Sequence, residues 1–323
     1  MALRKRFASD PTTGFGTNSN QSGGRFYQKD GTPNVTRKGV NFFDQLSWYH
    51  TMLSLPRWKF WLALVMVYLG INLFFAIVYY FLGTDYFGGI HEGSELQNFA
   101  ECFFFSCQTF TTVGYGRISP TGITASAIAA FEAFVGIISF ALATGLFYGR
   151  FSKPRSFLKF SEKALIAPYK EGTALMFRTA PYKKIHLSEA EVRLTLAMRT
   201  ENNGEIKNEF YPLPVEFTKV NALVLNWTIV HPIDENSPLN GLSLKDLQKT
   251  NAELLVYLKA YDEGFSNTVV ARTSYSWDEF VEGARFKPMY YSTEEGTATV
   301  LDFDYLDAYD IVELPKPAQV VSV

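Results

Sequence analysis

Two long apolar runs, at 58–82 and 123–151, dominate the hydropathy pattern, and a shorter one at 98–110 lies between them. The first carries one charge, Lys59, at its start. As a helix rising 1.5 Å per residue it extends about 37 Å, enough to cross a bilayer core of about 30 Å. The second is interrupted by Glu132 and then by Arg150. The 98–110 run, with Phe99, Phe103, Phe104, Phe105 and Phe110, is too short to span and too apolar for a surface loop. It predicts a re-entrant helix covered by its neighbours. Upstream, Phe42, Leu46, Tyr49 and Leu53 recur at helical spacing over 41–55, and Pro56 ends the pattern. This predicts an amphipathic helix, packed on protein or lying in the membrane interface. Beyond 152 the period changes. Strands are expected at 174–178, 191–199, 208–215, 223–230, 253–260, 268–275 and 297–305, with Val192, Leu194, Leu196 and Met198 marking one buried face. Asn203-Gly204 and Glu263-Gly264 are turn signals, and strands so spaced predict an all-β sandwich.

The fold class expected is therefore a two-span membrane α domain with a re-entrant helix, followed by a β-sandwich. The divisions expected are a flexible cytoplasmic tail at 1–39, an interfacial helix at 40–56, a two-span domain at 57–151 and a linker at 152–170. The sandwich then occupies 171–315, with a terminal tail at 316–323. Arg4, Lys5 and Arg6 precede polar residues rather than an apolar core, so no secretory signal is expected. Arg57 and Lys59 precede the first span, Arg150, Lys153, Arg155 and Lys159 follow the second, and only Arg117 is basic between them. That bias places both termini on the cytoplasmic side of a cell membrane, the inner membrane for a bacterial protein. The net charge of −2 gives no argument for nucleic acid. Cys102 and Cys107, five apart on one short helix, point in different directions and are expected to pack rather than to pair.

The chemistry lies at 111–116, Thr-Thr-Val-Gly-Tyr-Gly. Between two spans, T-V-G-Y-G is the run whose backbone carbonyls replace a potassium ion's hydration shell. Thr112, Val113, Gly114, Tyr115 and Gly116 are the expected K+ ligands, through main-chain oxygens only; no catalytic cofactor is expected. The 98–110 helix would aim its negative end at the ion. One such loop covers one side of an ion, so four copies closing a ring are expected. Phe140, Thr144 and Tyr148 follow at four-residue spacing and are the candidate pore-lining and gating side chains of the inner helix. Gly136 and Gly145 admit two readings, close helix packing or a hinge. Glu132, a carboxylate within a span, is expected to make a structural hydrogen bond behind the filter, with direct ion contact as the alternative.

These residues resemble the inward-rectifier potassium channels of prokaryotic (KirBac) type, over about 42–315. The resemblance is carried by "PRWKFW", "FEAFVGIISFALATGLFYGRFSKP", "LMFRTAPYKKIHLSEAEVRLTL", "LNWTIVHPIDENSPLNGLS" and "VVARTSYSWDEF", besides the filter. It implies a homotetrameric pore above a cytoplasmic immunoglobulin-like sandwich. It also implies regulation by anionic lipid, phosphoinositide included, at Arg57, Lys59, Arg150, Lys153, Arg155 and Arg193. The positive-inside bias alone is the plainer account of that cluster. By the same resemblance, Phe265, Ser266, Asn267 and Thr268 match a second, cytoplasmic constriction, the plainer reading being a hairpin. Gln108 stands where relatives often carry a filter-bracing glutamate. Phe140 stands where an acidic residue gives strong rectification, which implies weak block by Mg2+ or polyamine.

No catalytic constellation is present. His50, His91, His186 and His231 are scattered without metal-ligand spacing, and His231 is read as a structural hydrogen-bonding residue. An enzyme is not expected. A non-conducting membrane receptor is the competing class, and the intact 112–116 run speaks against it.

Overall fold

The computed structural model describes residues 14–15, 24–41, 47–90, 93–202 and 205–315. The expected turn at Asn203-Gly204, the tail at 316–323, and Phe42, Leu46 and His91 lie outside the described residues. Two compact units are present: 38–153, and 154–315 together with 24–37.

The first unit is helical. Helix α1 is Trp48–Ser54. It is shorter than expected, because Asn41 and Ser47 are not helical. Pro56 separates it from α2, Arg57–Leu82, whose 26 residues end at Gly83 with φ 106°. A 3-10 turn at Thr84–Tyr86 and strand β1, Phe87–Gly88, lead to α3, Glu95–Phe110. Helix α3 begins three residues before the expected 98, because the Ser94 amide donates to Gln97 Oε1 at 2.9 Å and caps the first turn. Strand β2, Ser119–Pro120, pairs antiparallel with β1 before α4, Ile123–Phe151. Both α2 and α4 are long and apolar enough to cross a membrane, and only 17% of each apolar window is buried. That fraction is too low for core helices of a soluble fold. Phe75, Tyr79, Phe87, Cys102, Phe105, Ile118, Ala125 and Ala129 form the unit's core, and both cysteines are free.

The second unit is a sandwich of two five-stranded sheets. One has the order β11-β10-β6-β7, with β8 also on β6: Leu187–Asn202 (β6), Glu205–Leu213 (β7), Lys219–Ala222 (β8), Glu253–Asp262 (β10) and Asn267–Ser276 (β11). The other has the order β12-β4-β5-β3, with β9 on β5: Leu158–Phe160 (β3), Ala164–Tyr169 (β4), Gly172–Pro181 (β5), Trp227–Ile233 (β9) and Phe280–Glu282 (β12). The two inner faces meet at Phe177, Leu196, Met198, Tyr211, Ile229, Leu254, Val256 and Tyr275. Two expected strands are corrected. The run 223–230 is broken, with β8 ending at Ala222 and β9 starting at Trp227. The run 297–305 is a three-residue strand, Thr299–Leu301, followed by a 3-10 turn at Phe303–Tyr305.

The tail expected to be flexible is, over 25–33, docked on the sandwich. Arg25 pairs with Glu279 at 2.8 Å, and the Phe26 and Tyr27 amides donate to the Glu253 carboxylate at 2.7 and 3.2 Å. Thr273 Oγ1 donates to the Lys29 carbonyl at 3.0 Å. Burial raises the Glu253 carboxyl above the usual range against those amides, and lowers the Lys29 ammonium despite Glu279 beside it. A polar segment with few apolar residues orders here because a buried acid satisfies its backbone donors.

His231, on β9, is buried at 2% exposure. Its Nδ1 donates to the Pro214 carbonyl at 2.5 Å and its Nε2 accepts from Ser237 Oγ at 2.7 Å, which suits a neutral ring. Burial depresses its pKa below the ordinary imidazole value. Stability from this site is therefore complete above about pH 6.5 and is lost as pH falls through the depressed folded value. Urea unfolding of the full chain in detergent should show a midpoint falling from pH 7.5 toward pH 5, with His231 contributing at most about 1.4 kcal/mol per pH unit. His231→Gln should flatten that slope; an unchanged slope would show that the ring titrates as freely folded as unfolded.

Candidate functional site

Helix α3 ends in a Schellman motif, and that motif launches the candidate filter. The Thr112 amide donates to the Thr109 carbonyl at 3.0 Å, and the Val113 amide donates to the Gln108 carbonyl at 3.0 Å. The residue in the left-handed position, with φ 58°, is Thr112 where glycine is usual. A β-branched side chain there stores about 1–3 kcal/mol. The Gly114 amide also reaches the Gln108 carbonyl, at 3.3 Å. Gly114 has φ 53° and Gly116 φ 82°, while Val113 and Tyr115 keep negative φ. Such alternation of backbone hand suits a loop whose successive carbonyl oxygens face one side. Gln108 thus acts here through its main chain, a role independent of the side-chain charge that sequence comparison weighs.

Behind the loop, three helices converge on Glu132 of α4. Its carboxyl accepts from Tyr79 Oη of α2 at 2.5 Å and from Ser106 Oγ of α3, and the residue is fully buried. Ser106 Oγ also lies 3.1 Å from Asn72 Oδ1, on α2. A buried carboxyl costs several kcal/mol unless such partners satisfy it. One turn further along α4, Gly136 lies against the end of α3, where an added Cβ would overlap the Phe110 carbonyl oxygen. The structure thus supplies a close-packing reason for Gly136, which the sequence left level with a hinge. Gly145 has nothing within 4 Å of an added Cβ. Beside it, Thr144 Oγ1 donates to the Phe140 carbonyl at 2.9 Å, a back-bond that bends helices. Phe140 and Tyr148 are 77% and 75% exposed on the same side of α4.

The basic residues are divided between the two units. Arg57 and Lys59 are exposed at the start of α2, and Lys153 is exposed beyond α4. Arg150 is engaged: its guanidinium donates to the Met52 and Leu55 carbonyls at 3.2 and 2.6 Å and lies 4.7 Å from the Phe60 ring centre. It ties α4 to the end of α1. Arg155 and Arg193 belong to the other unit; Arg193 is paired with Glu191 at 2.9 Å, and Arg155 is exposed. Phe265 and Ser266 form the turn of the β10–β11 hairpin, and Asn267 and Thr268 open β11. Asp262 Oδ1 accepts the Gly264 and Phe265 amides at 2.9 and 3.3 Å, and Ser266 takes φ 48°. Sequence reasoning missed Tyr79, Ser106 and Asn72. Glu132 lies 26 and 53 positions from Ser106 and Tyr79, Asn72 meets Ser106 from 34 positions away, and nothing local marks them.

Two family models match the chain. The inward rectifier potassium channel C-terminal domain matches residues 158–321, and an ion channel model matches 66–153. The inward rectifier potassium channel Kirbac3.1 of Paramagnetospirillum magnetotacticum is 32% identical over 279 residues, 84% of this chain and 91% of that protein. Inward rectifier potassium channel 18 of Homo sapiens is 28% identical, covering 90% of this chain and 72% of that one. ATP-sensitive inward rectifier potassium channel 12 of Mus musculus is 29% identical, covering 90% and 73%.

The two inner-helix glycines should respond oppositely to alanine. Gly136→Ala forces apart α3 and α4 at Phe110 and should lower the melting temperature of the purified protein in detergent, by about 1–3 kcal/mol of stability. Gly145→Ala meets no atom and should be neutral or stabilising by up to about 1 kcal/mol. Equal melting of the two variants would contradict the packing at Gly136.

Proposed function

This chain belongs to the inward rectifier potassium channel family, and from that premise we propose that it conducts K+ passively across a cell membrane as a homotetramer. The observation that carries the reading is the alternating backbone of 112–116, set at the end of a partly buried helix between two membrane-length helices. An ion shedding water needs oxygens on all sides, and one loop offers one side. Thr112, Val113, Tyr115 and the two filter glycines are solvent-facing in the single chain, so the remaining sides are open for three further copies. Both termini lie in the cytoplasm, and for a bacterial chain the membrane is the inner one.

Gating follows from the exposed face of α4. Tyr148, nearest the cytoplasmic end, closes the path as a ring of aromatic side chains that excludes water. Gly145, with the Thr144 back-bond beside it, is the better-placed hinge. The hairpin turn at 265–268 forms the second constriction. Arg57, Lys59, Lys153 and Arg155, all exposed, attract anionic headgroups, phosphoinositide among them, each contributing about 1 kcal/mol near a charged leaflet. Phe140 offers a phenyl ring where a carboxylate would hold Mg2+ or a polyamine, so rectification is weak.

Liposomes containing the purified protein should take up potassium in a barium-sensitive way, and Gly114→Ala should abolish uptake without loss of assembly. Uptake that persists in Gly114→Ala, or none in the parent, would refute the channel reading. In bilayer recordings spermine should produce only shallow rectification, and Phe140→Asp should steepen block by about tenfold or more, as expected for four added carboxylates around one cation. Steep spermine block of the parent would contradict the role given to Phe140.

A further inference from the structure

Gly116 hands the chain to Arg117, and three separate features hold Arg117 in place. Its guanidinium forms an ion pair with the Glu101 carboxylate, through Nη2. Nη1 donates to the Gly89 carbonyl at 3.3 Å. Its main chain approaches Gly89 so closely that a Cβ there would overlap the Arg117 carbonyl oxygen, and Gly89 sits at φ 83°. Beyond it, Ser119 and Pro120 pair with Gly88 and Phe87. The segment leaving the filter is thus stitched to the loop that precedes α3.

The charges are sparse. Arg117 is the one lysine or arginine between the two spans, and of the acids there, Asp85, Glu92, Glu95 and Glu101, it is Glu101, alone on α3 beyond the first turn, that pairs with it. Residue 108, nearer the filter on the same helix, is a neutral glutamine. The ion pair is partly exposed, at 45% and 20% for the two side chains, so its weight is in the local field rather than in folding.

We propose that Glu101, Arg117 and Gly89 form a charge-compensated clamp at the outer end of the filter. Arg117, wedged against Gly89, positions the strand leaving Gly116, and Glu101 cancels a cation that would otherwise encircle the ion path. Both are positioning residues; neither touches the ion. The inference rests on the channel reading. In a closed ring of four, uncompensated guanidinium groups one residue beyond the last carbonyl lie within about one Debye length, 8–10 Å, of an entering ion and deplete it.

Single-channel recording of the full-length protein tests this. In about 20 mM potassium, Glu101→Gln should reduce inward conductance about threefold or more, and in about 1 M potassium the deficit should shrink below about 1.5-fold, because salt screens the exposed charge. Adding Arg117→Gln to Glu101→Gln should restore low-salt conductance. A Glu101→Gln channel equal to the parent at low salt, a deficit indifferent to salt, or no restoration in the double variant would each overturn the compensation. A parent without barium-sensitive current would refute the channel reading itself. The clamp is then judged by potassium-dependent protection against heat. Glu101→Gln should reduce that protection and the swap E101R with R117E should recover it; equal melting of parent, single variant and swap would overturn the clamp.

Discussion

The carboxyl of Glu132 is the point on which the membrane unit turns. It accepts one hydroxyl from α2 and one from α3, so a single side chain of α4 fixes three helices against one another. A partly satisfied carboxyl in such surroundings would cost more than an apolar replacement, so the three groups are tolerable only as a set. Gly136, one turn away, adds a contact through which α4 bears on the last carbonyl of α3. Together these fix where α3 ends, and the end of α3 is where the filter begins.

That ending is itself strained. A Schellman motif needs a left-handed residue, and this chain places a threonine there. The cost is local and is met by the packing behind it. In return the capping motif and the filter share Thr112, and the Gln108 carbonyl gathers the Val113 and Gly114 amides. Among the described residues no backbone amide outside the helices and strands donates to the carbonyls of 112–116, which suits the K+ ligand role proposed for them. The soluble unit has a different economy: a two-sheet core, with buried Glu253 organising the backbone of the preceding segment.

Much of this was legible in the residues. The two spans, the short aromatic helix and the T-V-G-Y-G run depend on local pattern, and each lies within a few residues of its expected place. The strand alternation from Val192 to Met198 likewise marks a true inner face. What sequence did not reveal depends on distance along the chain. Tyr79 and Ser106 read as ordinary span and helix residues until Glu132 stands between them. Residues 25–33 look like a tail because their partners, Glu253, Ser274 and Glu279, lie more than two hundred positions away. The contacts of Arg150 were not legible because the carbonyls it serves belong to another helix. Gly136 and Gly145 were indistinguishable by type, and only the neighbour across the gap separates them.

The central claim is that main-chain oxygens of 112–116 surround a dehydrated cation on a symmetry axis shared by four chains. Anomalous scattering from the full-length protein in thallium, a potassium mimic, tests it most directly. The account predicts a column of thallium peaks on a fourfold axis, lying level with the carbonyls of Thr112, Val113, Gly114 and Tyr115. Peaks absent from that loop, or a loop turned away from any symmetry axis, would contradict it.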